Sequence, residues 1–282
     1  MAKAKRLILE GIDKADVVIE VVDARCPQAS RNPLLDQWVK KKPRILVLNK
    51  SDLADPRITA QWKRSLEASR GIQVLPFSIK ERNLQSLIQL ARSTCKERRW
   101  FELRAVRALI VGIPNVGKSS ILNLLAGGKK AAVADRAGHT RSIQRYKVVD
   151  GFDILDTPGV LWHKFEDQKI GRLLALLGAV KDEILPMTEL AAEALEILRP
   201  LYPKRLSDRY PIEDWSGNGY DLLERIAKKR GIIGKGGIVD QERVGLMVVK
   251  ELRDGLLGSI TWETPESVSP VANDSDILEE SL

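Results

Sequence analysis

Short runs of Val, Ile and Leu alternate with helical patterns through the first half of this 282-residue chain. Strands that are apolar throughout and alternate with helices are typical of a parallel sheet covered on both faces. The apolar runs are residues 17–22, 45–48, 73–77 and 108–111, and the helical patterns are 32–40, 59–69, 84–92 and 118–125. Two further runs flank Asp150 and Gly151 within 143–155, where this dipeptide favours a hairpin. We therefore predict an α/β fold with a mostly parallel sheet and one antiparallel pair.

The α/β pattern stops near Gly159, and the periodicity is helical from about residue 165. We predict a first domain over 1–164 and a second, mainly α-helical domain over 165–262. The last twenty residues, 263–282, contain six acidic side chains and no Lys or Arg, which predicts a disordered acidic tail.

Net charge, cysteine content and hydropathy limit the partners and the cellular compartment that we expect for this chain. The net charge of +8 favours polyanionic partners such as RNA or an anionic membrane, without deciding between them. Cys26 and Cys95 lie far apart and outside any CxxC spacing, which disfavours a disulfide framework or a zinc site and fits a reducing compartment. No stretch approaches the roughly 18 apolar residues of a membrane helix. We expect a cytoplasmic protein without membrane attachment.

The segment GIPNVGKS over 112–119 matches the pattern GxxxxGK[ST] between a predicted buried strand and a helix. The glycines of this pattern let backbone N–H groups turn toward phosphate, and the helix N-terminus favours the anion. Lys118 is expected to reach the β- and γ-phosphates, and Ser119 is expected to ligate Mg²⁺. The candidate phosphate-binding residues are Asn115, Val116, Gly117, Lys118, Ser119 and Ser120.

A second motif, DTPG over 156–159, closes another predicted strand. Its Asp156 is expected to hold Mg²⁺ through water, and the Gly159 N–H is expected to face the γ-phosphate. Thr140 lies sixteen residues before Asp156 in a turn-like segment and is a candidate to complete the Mg²⁺ shell.

The motif NKSD over 49–52 follows the apolar run 45–48 and predicts the choice of base. The Asp52 carboxylate can accept two hydrogen bonds from the N1–H and amino group of guanine. Adenine offers no such pair of donors and would leave the carboxylate unpaired. The candidate base-side residues are Asn49, Lys50, Ser51 and Asp52, with Ser78, Ile79 and Lys80 at the end of the next strand.

The base motif here precedes the phosphate-binding loop, whereas ordinary GTPases have the reverse order. With this order the chain resembles the circularly permuted GTPases of the YlqF/RbgA family. The resemblance rests on VVDARCPQASRNP, LNKSD, RALIVGIPNVGKSS, LDTPGVLWHKFED and KRGIIGKGGIVD. It implies a circularly permuted G domain, a helical RNA-binding domain, GTP hydrolysis and a role in assembly of the large (50S) ribosomal subunit. The implied partners are GTP, GDP and the large subunit with its rRNA, and we expect a monomer.

The group that orients the attacking water is not identified by these motifs. Val160 follows DTPG, where Ras-like GTPases have a glutamine. Members of the family usually begin with W-F-P-G-H-M, whose histidine is implicated in hydrolysis, and this chain starts at the equivalent of that Met. The alternatives are rRNA, a partner, a bound K⁺, for which Asn115 is the hypothetical ligand, or another histidine. His139 is the catalytic candidate, with a solvated loop histidine as its alternative.

Three functions remain open at this point. The first is a slow GTPase stimulated by the ribosome, the second a GTP-dependent RNA-binding scaffold with negligible turnover, and the third a GTPase acting on a non-ribosomal RNA. Two segments also have two interpretations each. Residues 92–107 form either a solvated linker helix or an RNA-contacting stripe around Trp100 and Phe101. The glycine-rich stretch 231–237 is either a phosphate-contacting loop or a turn between helices.

Overall fold

The computed structural model describes residues 2–39, 42–68, 72–81, 83–127, 143–156, 168–180 and 186–267. Its centre is a six-stranded sheet in the order β3-β2-β1-β4-β6-β5, in which every neighbouring pair is parallel except β5 with β6. The strands are β1 (Val17–Asp23), β2 (Arg44–Asn49), β3 (Ile72–Phe77), β4 (Val106–Val111), β5 (Gln144–Val149) and β6 (Phe152–Asp156). The predicted α/β fold class and the hairpin are confirmed.

Helices cover both faces of this sheet, which explains why the central strands are mostly apolar; the buried Glu20 of β1 is paired with Arg44 of β2. In β1, Ile19 packs in the core beneath α4 and α5, whereas Val18 packs on the opposite face with Ile8 and Ile12 of α1. The helices of the sheet part are α1 (Ala2–Lys14), α2 (Leu34–Trp38), α3 (Pro56–Glu67), α4 (Leu84–Ser93) and α5 (Lys118–Leu125).

Five more helices follow the sheet and form what we term the helical part. They are α6 (Gln168–Leu176), α7 (Met187–Leu201), α8 (Pro203–Arg209), α9 (Gly219–Arg230) and α10 (Gln241–Arg253). Helix α7 packs against both α9 and α10 at glycines. A Cβ on Gly219 would lie 2.1 Å from the Ala192 carbonyl oxygen, and one on Gly245 would lie 2.7 Å from Thr188 Cα. Among the described helices, none has the length and apolar character that crossing a membrane requires.

The segment between α4 and β4 does not form the linker helix that was one interpretation of residues 92–107. Helix α4 ends at Ser93, and residues 94–105 form a series of turns. The Arg104 guanidinium binds both Asp16 carboxylate oxygens at 2.7 and 2.8 Å, and the Arg107 backbone N–H donates to the same carboxylate. This anchor at the start of β1 holds the segment in a non-helical path. The Arg104 guanidinium also lies 3.9 Å from the Trp100 ring.

The glycine-rich stretch 231–237 connects α9 to α10, as the turn interpretation predicted. Ile233 and Val239 pair in an antiparallel bridge, and Gly231 ends α9 in the left-handed conformation. After α10, residues 255–263 return to the sheet part, where the Glu263 side chain is buried. A short 3₁₀ turn, Pro265–Ser267, follows, and the rest of the predicted tail lies outside the described residues. The domain limits 1–164, 165–262 and 263–282 stay predictions.

Candidate nucleotide-binding site

The sequence motifs meet at the carboxyl edge of the sheet. Asp23 at the end of β1 pairs in register with Asn49 at the end of β2, and Asn49 pairs with Phe77 at the end of β3. Strands β4 and β6 end beside them, with Ile110 in register with Asp156. In open α/β sheets, ligands bind outside the carboxyl ends of the strands where the strand order reverses. Here the chain leaves β1 toward β2 on one side of the sheet and leaves β4 toward β5 and β6 on the other, so the strand order reverses between β1 and β4. The motifs follow these two strands and their neighbours.

The loop from Gly112 to α5 is shaped by two glycines. A Cβ on Gly112 would lie 2.6 Å from the carbonyl oxygen of Val21, so the loop passes directly against β1. Gly117 has φ +94°, and a Cβ there would lie 2.1 Å from the Asn49 amide nitrogen. No side chain caps the first turn of α5 within the described residues. The N–H groups of that turn can therefore bind an anion, as phosphate binding requires.

Lys118 and Asp156 occupy the phosphate side of this edge. Both side chains are buried, and burial lowers the pKa of the Lys118 ammonium although the Asp156 carboxylate opposes that shift. A buried ammonium gains most from an adjacent anion, because charges interact strongly where water is excluded. Ser119 and Ser120 are exposed in the first turn of α5, and Val116 is buried below them.

Asn49 joins the base motif to the phosphate-binding loop. Its Nδ2 donates to the Val116 carbonyl at 2.6 Å, and the side chain is fully buried. Its Oδ1 is also buried and has no hydrogen-bond partner within the described part of the chain. An unpaired buried acceptor is costly unless a ligand supplies a donor, so this atom fits a bound nucleotide.

The Asp52 carboxylate is held by the loop that follows β3. Ser78 Oγ donates to its Oδ1 at 2.8 Å, and Lys80 Nζ lies 2.8 Å from its Oδ2. Burial opposes ionisation of Asp52, yet Lys80 and Ser78 together lower its pKa below the ordinary value. The carboxylate is therefore ionised and oriented to accept hydrogen bonds. Ile79 lies near Gly117, 3.8 Å from the position of an added Cβ, so this second loop also reaches the phosphate side.

Sequence reasoning missed a buried ion pair beside the base motif. Lys50, at φ +61°, donates to the Asn115 carbonyl at 2.9 Å and lies 2.9 Å from Asp23 Oδ2. Asp23 in turn binds the Arg25 guanidinium through both oxygens at 3.0 Å. Although burial opposes its charge, Arg25 and Lys50 hold the Asp23 pKa well below its usual range. The sequence feature that could have indicated this pair is an Asp and an Arg two residues apart, Asp23 and Arg25, directly after the first apolar run.

Asn115, the hypothetical K⁺ ligand, connects the phosphate loop to the helical part. It adopts φ +63°, and its Nδ2 donates to the Gly178 carbonyl just after α6. The bond uses the amide nitrogen, and potassium coordination would require the amide oxygen. The K⁺ role of Asn115 stays a hypothesis. His139, Thr140, Gly159 and Val160 lie outside the described residues.

Comparisons with known proteins agree with this geometry. A family model described as 50S ribosome-binding GTPase matches residues 107–204. Ribosome biogenesis GTPase A of Bacillus cereus is 41% identical over an alignment that covers 99% of this chain and 97% of the relative. The chain belongs to the ribosome biogenesis GTPase A family. The Thermotoga maritima member is 32% identical over 95% of this chain and 94% of its own length.

Solved structures extend the agreement to the fold of this ribosome biogenesis GTPase A family member. The crystal structure of GNP-bound YlqF from T. maritima has a TM-score of 0.70 and 29% identity, covering 94% of this chain and all of that one. A GDP-bound YlqF structure has a TM-score of 0.69. The predicted membership in the YlqF/RbgA family, the circularly permuted fold and GTP hydrolysis are confirmed. The scaffold with negligible turnover is thereby disfavoured.

Proposed function

We propose that this GTPase turns over GTP slowly by itself and faster on the ribosome, during assembly or maturation of the large (50S) subunit. The observation that carries the proposal is the alignment of nearly the whole chain, helical part included, with relatives named for ribosome biogenesis. The junction of Asn49 with Val116 supports it, since it unites the base motif and the phosphate loop in one site.

In this proposal the base lies between the two loops that follow β2 and β3. Asp52 accepts hydrogen bonds from guanine, and Ser78 and Lys80 hold its carboxylate in place. Ser51 begins the short 3₁₀ turn Ser51–Leu53 beside it. The α5 N-terminus and Lys118 take the phosphates, and the Gly159 N–H is proposed to face the γ-phosphate.

Ser119 and Asp156 suit Mg²⁺, because a hydroxyl and a carboxylate are hard oxygen ligands at the phosphate side of the edge. Thr140 is the proposed third protein ligand. Mg²⁺ neutralises charge on the β- and γ-phosphates when it is bound. A K⁺ ion held by the Asn115 amide oxygen is a further hypothesis, and His139 stays the candidate for orienting water.

The helical part is proposed to contact rRNA. Exposed cations lie at the end of α9 and along α10, at Lys228, Lys229, Arg230, Arg243 and Lys250. The turn 231–237 lies between these helices, and no atom in the described part of the chain, apart from the glycine and its chain neighbours, lies within 4 Å of a Cβ added at Gly231, Gly236 or Gly237, so phosphate can approach its backbone. We further propose that the protein is a cytoplasmic monomer between its encounters with the large subunit.

Turnover measurements test this function. Phosphate release by the full chain is measured alone, with 50S particles and with 30S particles, each in K⁺ and in Na⁺ buffer. We expect 50S particles to raise turnover about tenfold or more, and 30S particles to leave it unchanged. Equal turnover in all three samples would contradict ribosome stimulation, and equal turnover in K⁺ and Na⁺ would remove the K⁺ hypothesis. Stimulation by a non-ribosomal RNA alone would favour the third function.

A further inference from the structure

The segment that follows α10 lies against the loop that carries Asp52. We term residues 255–263 the C-terminal strap and residues 50–55 the base loop. Ile260 N–H donates to the Leu53 carbonyl at 2.9 Å, and Asp55 N–H donates to Thr261 Oγ1 at 3.0 Å. Gly255 lies so close to Leu53 that an added Cβ would be 2.6 Å from its Cδ2. These contacts fix the C-terminal side of the turn Ser51–Leu53.

The strap is itself held firmly on both sides. From the helical part, the Tyr202 hydroxyl accepts from Thr261 N–H at 3.1 Å, and Arg205 donates to the Ser259 carbonyl. From the sheet part, the Arg25 carbonyl accepts from Trp262 N–H at 2.8 Å. Thr261 is fully buried. The strap is therefore a fixed brace between the helical part and the base loop.

A second tie to the base side begins at the end of α10. The Arg25 guanidinium donates to the carbonyls of Leu252 and Arg253, both at 3.3 Å, and so satisfies the last turn of that helix. The same guanidinium binds Asp23, which holds Lys50 of the base loop. The strap and the Arg25–Asp23–Lys50 contacts thus both connect the end of α10 to the loop that is proposed to bind guanine.

We propose that the C-terminal strap positions the base loop and thereby sets the rate at which guanine nucleotide leaves, with Thr261 as a positioning residue. The inference rests on the proposed site, in which Asp52 binds guanine. A loop that populates its binding-competent arrangement only part of the time binds more weakly by that fraction. Because such coupling is reciprocal in binding free energy, a ligand that shifts the helical part also changes the affinity for nucleotide.

Nucleotide could also be coupled to the helical part through the γ-phosphate, which the Gly159 N–H is proposed to face, and the strap differs from that route in one measurable respect. GDP and GTP carry the same base, so a change in the base loop alters the release of both by the same factor. Coupling through the γ-phosphate would alter the release of GTP relative to GDP. The ratio of the two release rates therefore separates the two routes.

The test compares Thr261→Val, which keeps the shape but removes the acceptor for Asp55 N–H, with Thr261→Ser, which keeps the hydroxyl. Stopped-flow dissociation of fluorescent GDP and of a fluorescent non-hydrolysable GTP analogue is measured on the full chain. This rate reports only folded, liganded molecules, so a smaller folded fraction cannot imitate the effect. Thr94→Val makes the same substitution at the end of α4, near the amino edge of the sheet, where the lost hydroxyl donates to the Leu90 carbonyl, and serves as the control for loss of a threonine hydrogen bond far from the base loop.

We expect Thr261→Val to raise both dissociation rates by the same factor, about 2- to 10-fold, as for one lost hydrogen bond. Thr261→Ser and Thr94→Val should match the wild type. Unchanged rates in Thr261→Val, or a change confined to the GTP analogue, would overturn the inference. Asp52→Asn is measured in parallel. If Asp52→Asn weakens GDP binding while Thr261→Val has no effect, the proposed role of the strap is wrong and the proposed site stands. If Asp52→Asn leaves GDP binding unchanged, the proposed site is wrong as well.

Discussion

The Asn49 side chain donates a hydrogen bond to the Val116 carbonyl across 67 residues of chain, at 2.6 Å. This bond joins the end of β2 to the phosphate-binding loop after β4, and α3, β3, α4 and β4 lie between them in sequence. The contact does not depend on which motif comes first along the chain. The permuted order therefore leaves the geometry of a guanine-nucleotide site intact.

Removing this bond should weaken nucleotide binding. Asn49→Ala leaves the Val116 carbonyl without its donor and frees the loop, so we expect Kd for GDP to rise about tenfold. Isothermal titration calorimetry gives the value. Asn83→Ala, which removes the side-chain cap of α4, is the matched control and should lower stability without changing Kd. Equal Kd values in the two variants would refute the role of Asn49.

Gly117 and Gly127 give a second matched pair. Both have positive φ, at +94° and +68°, so alanine at either position should destabilise the fold by about 1–2 kcal/mol. At Gly117 the new Cβ meets Asn49, whereas at Gly127 no atom of the described residues beyond the glycine and its chain neighbours lies within 4 Å of it. We expect Gly117→Ala to lose GTP binding by more than about tenfold beyond its effect on stability, because Asn49 must move. Gly127→Ala should bind normally, and similar losses in both would show that strain alone is responsible.

Glu263 should make stability depend on pH. Burial raises the pKa of its carboxyl to about 7, although the backbone N–H groups of Ala29 and Gln28 oppose that shift. The folded state therefore retains this proton where the unfolded chain, with a pKa near 4.5, has released it. The contribution of the Glu263 carboxyl to the free energy of unfolding is fully present below pH 4.5. It falls as the pH rises to about 7, by at most roughly 3 kcal/mol.

Glu263→Gln checks this expectation because a neutral amide keeps an acceptor for the same N–H groups. Urea unfolding at pH 5 and pH 8 should show that the variant gains stability relative to the wild type at the higher pH. The same difference between the two proteins at both pH values would mean that the Glu263 carboxyl does not titrate in this window.

The central strands and the two nucleotide loops could be predicted because their signals are local. Buried parallel strands are apolar throughout, and the residues of each loop are adjacent in sequence. The Arg25 contacts could not be predicted in this way, since Arg25 binds carbonyls 227 and 228 residues away. Residues 94–105 fail as a helix for the same reason, because Asp16 fixes Arg104 from 88 residues away. The strap has no periodic pattern, and its place against the base loop follows from tertiary contacts alone.

The most direct measurement is the base specificity of Asp52→Asn, because it tests whether the motif that precedes the phosphate loop reads the base of the nucleotide held there. Kd values for GDP and xanthosine diphosphate are determined by calorimetry for the wild type and the variant. An asparagine amide can donate to the 2-oxo group of xanthine but cannot accept both guanine donors as a carboxylate does. We predict that GDP binding falls about 10²- to 10⁴-fold while xanthosine diphosphate becomes the preferred ligand. An unchanged preference for GDP would contradict the account.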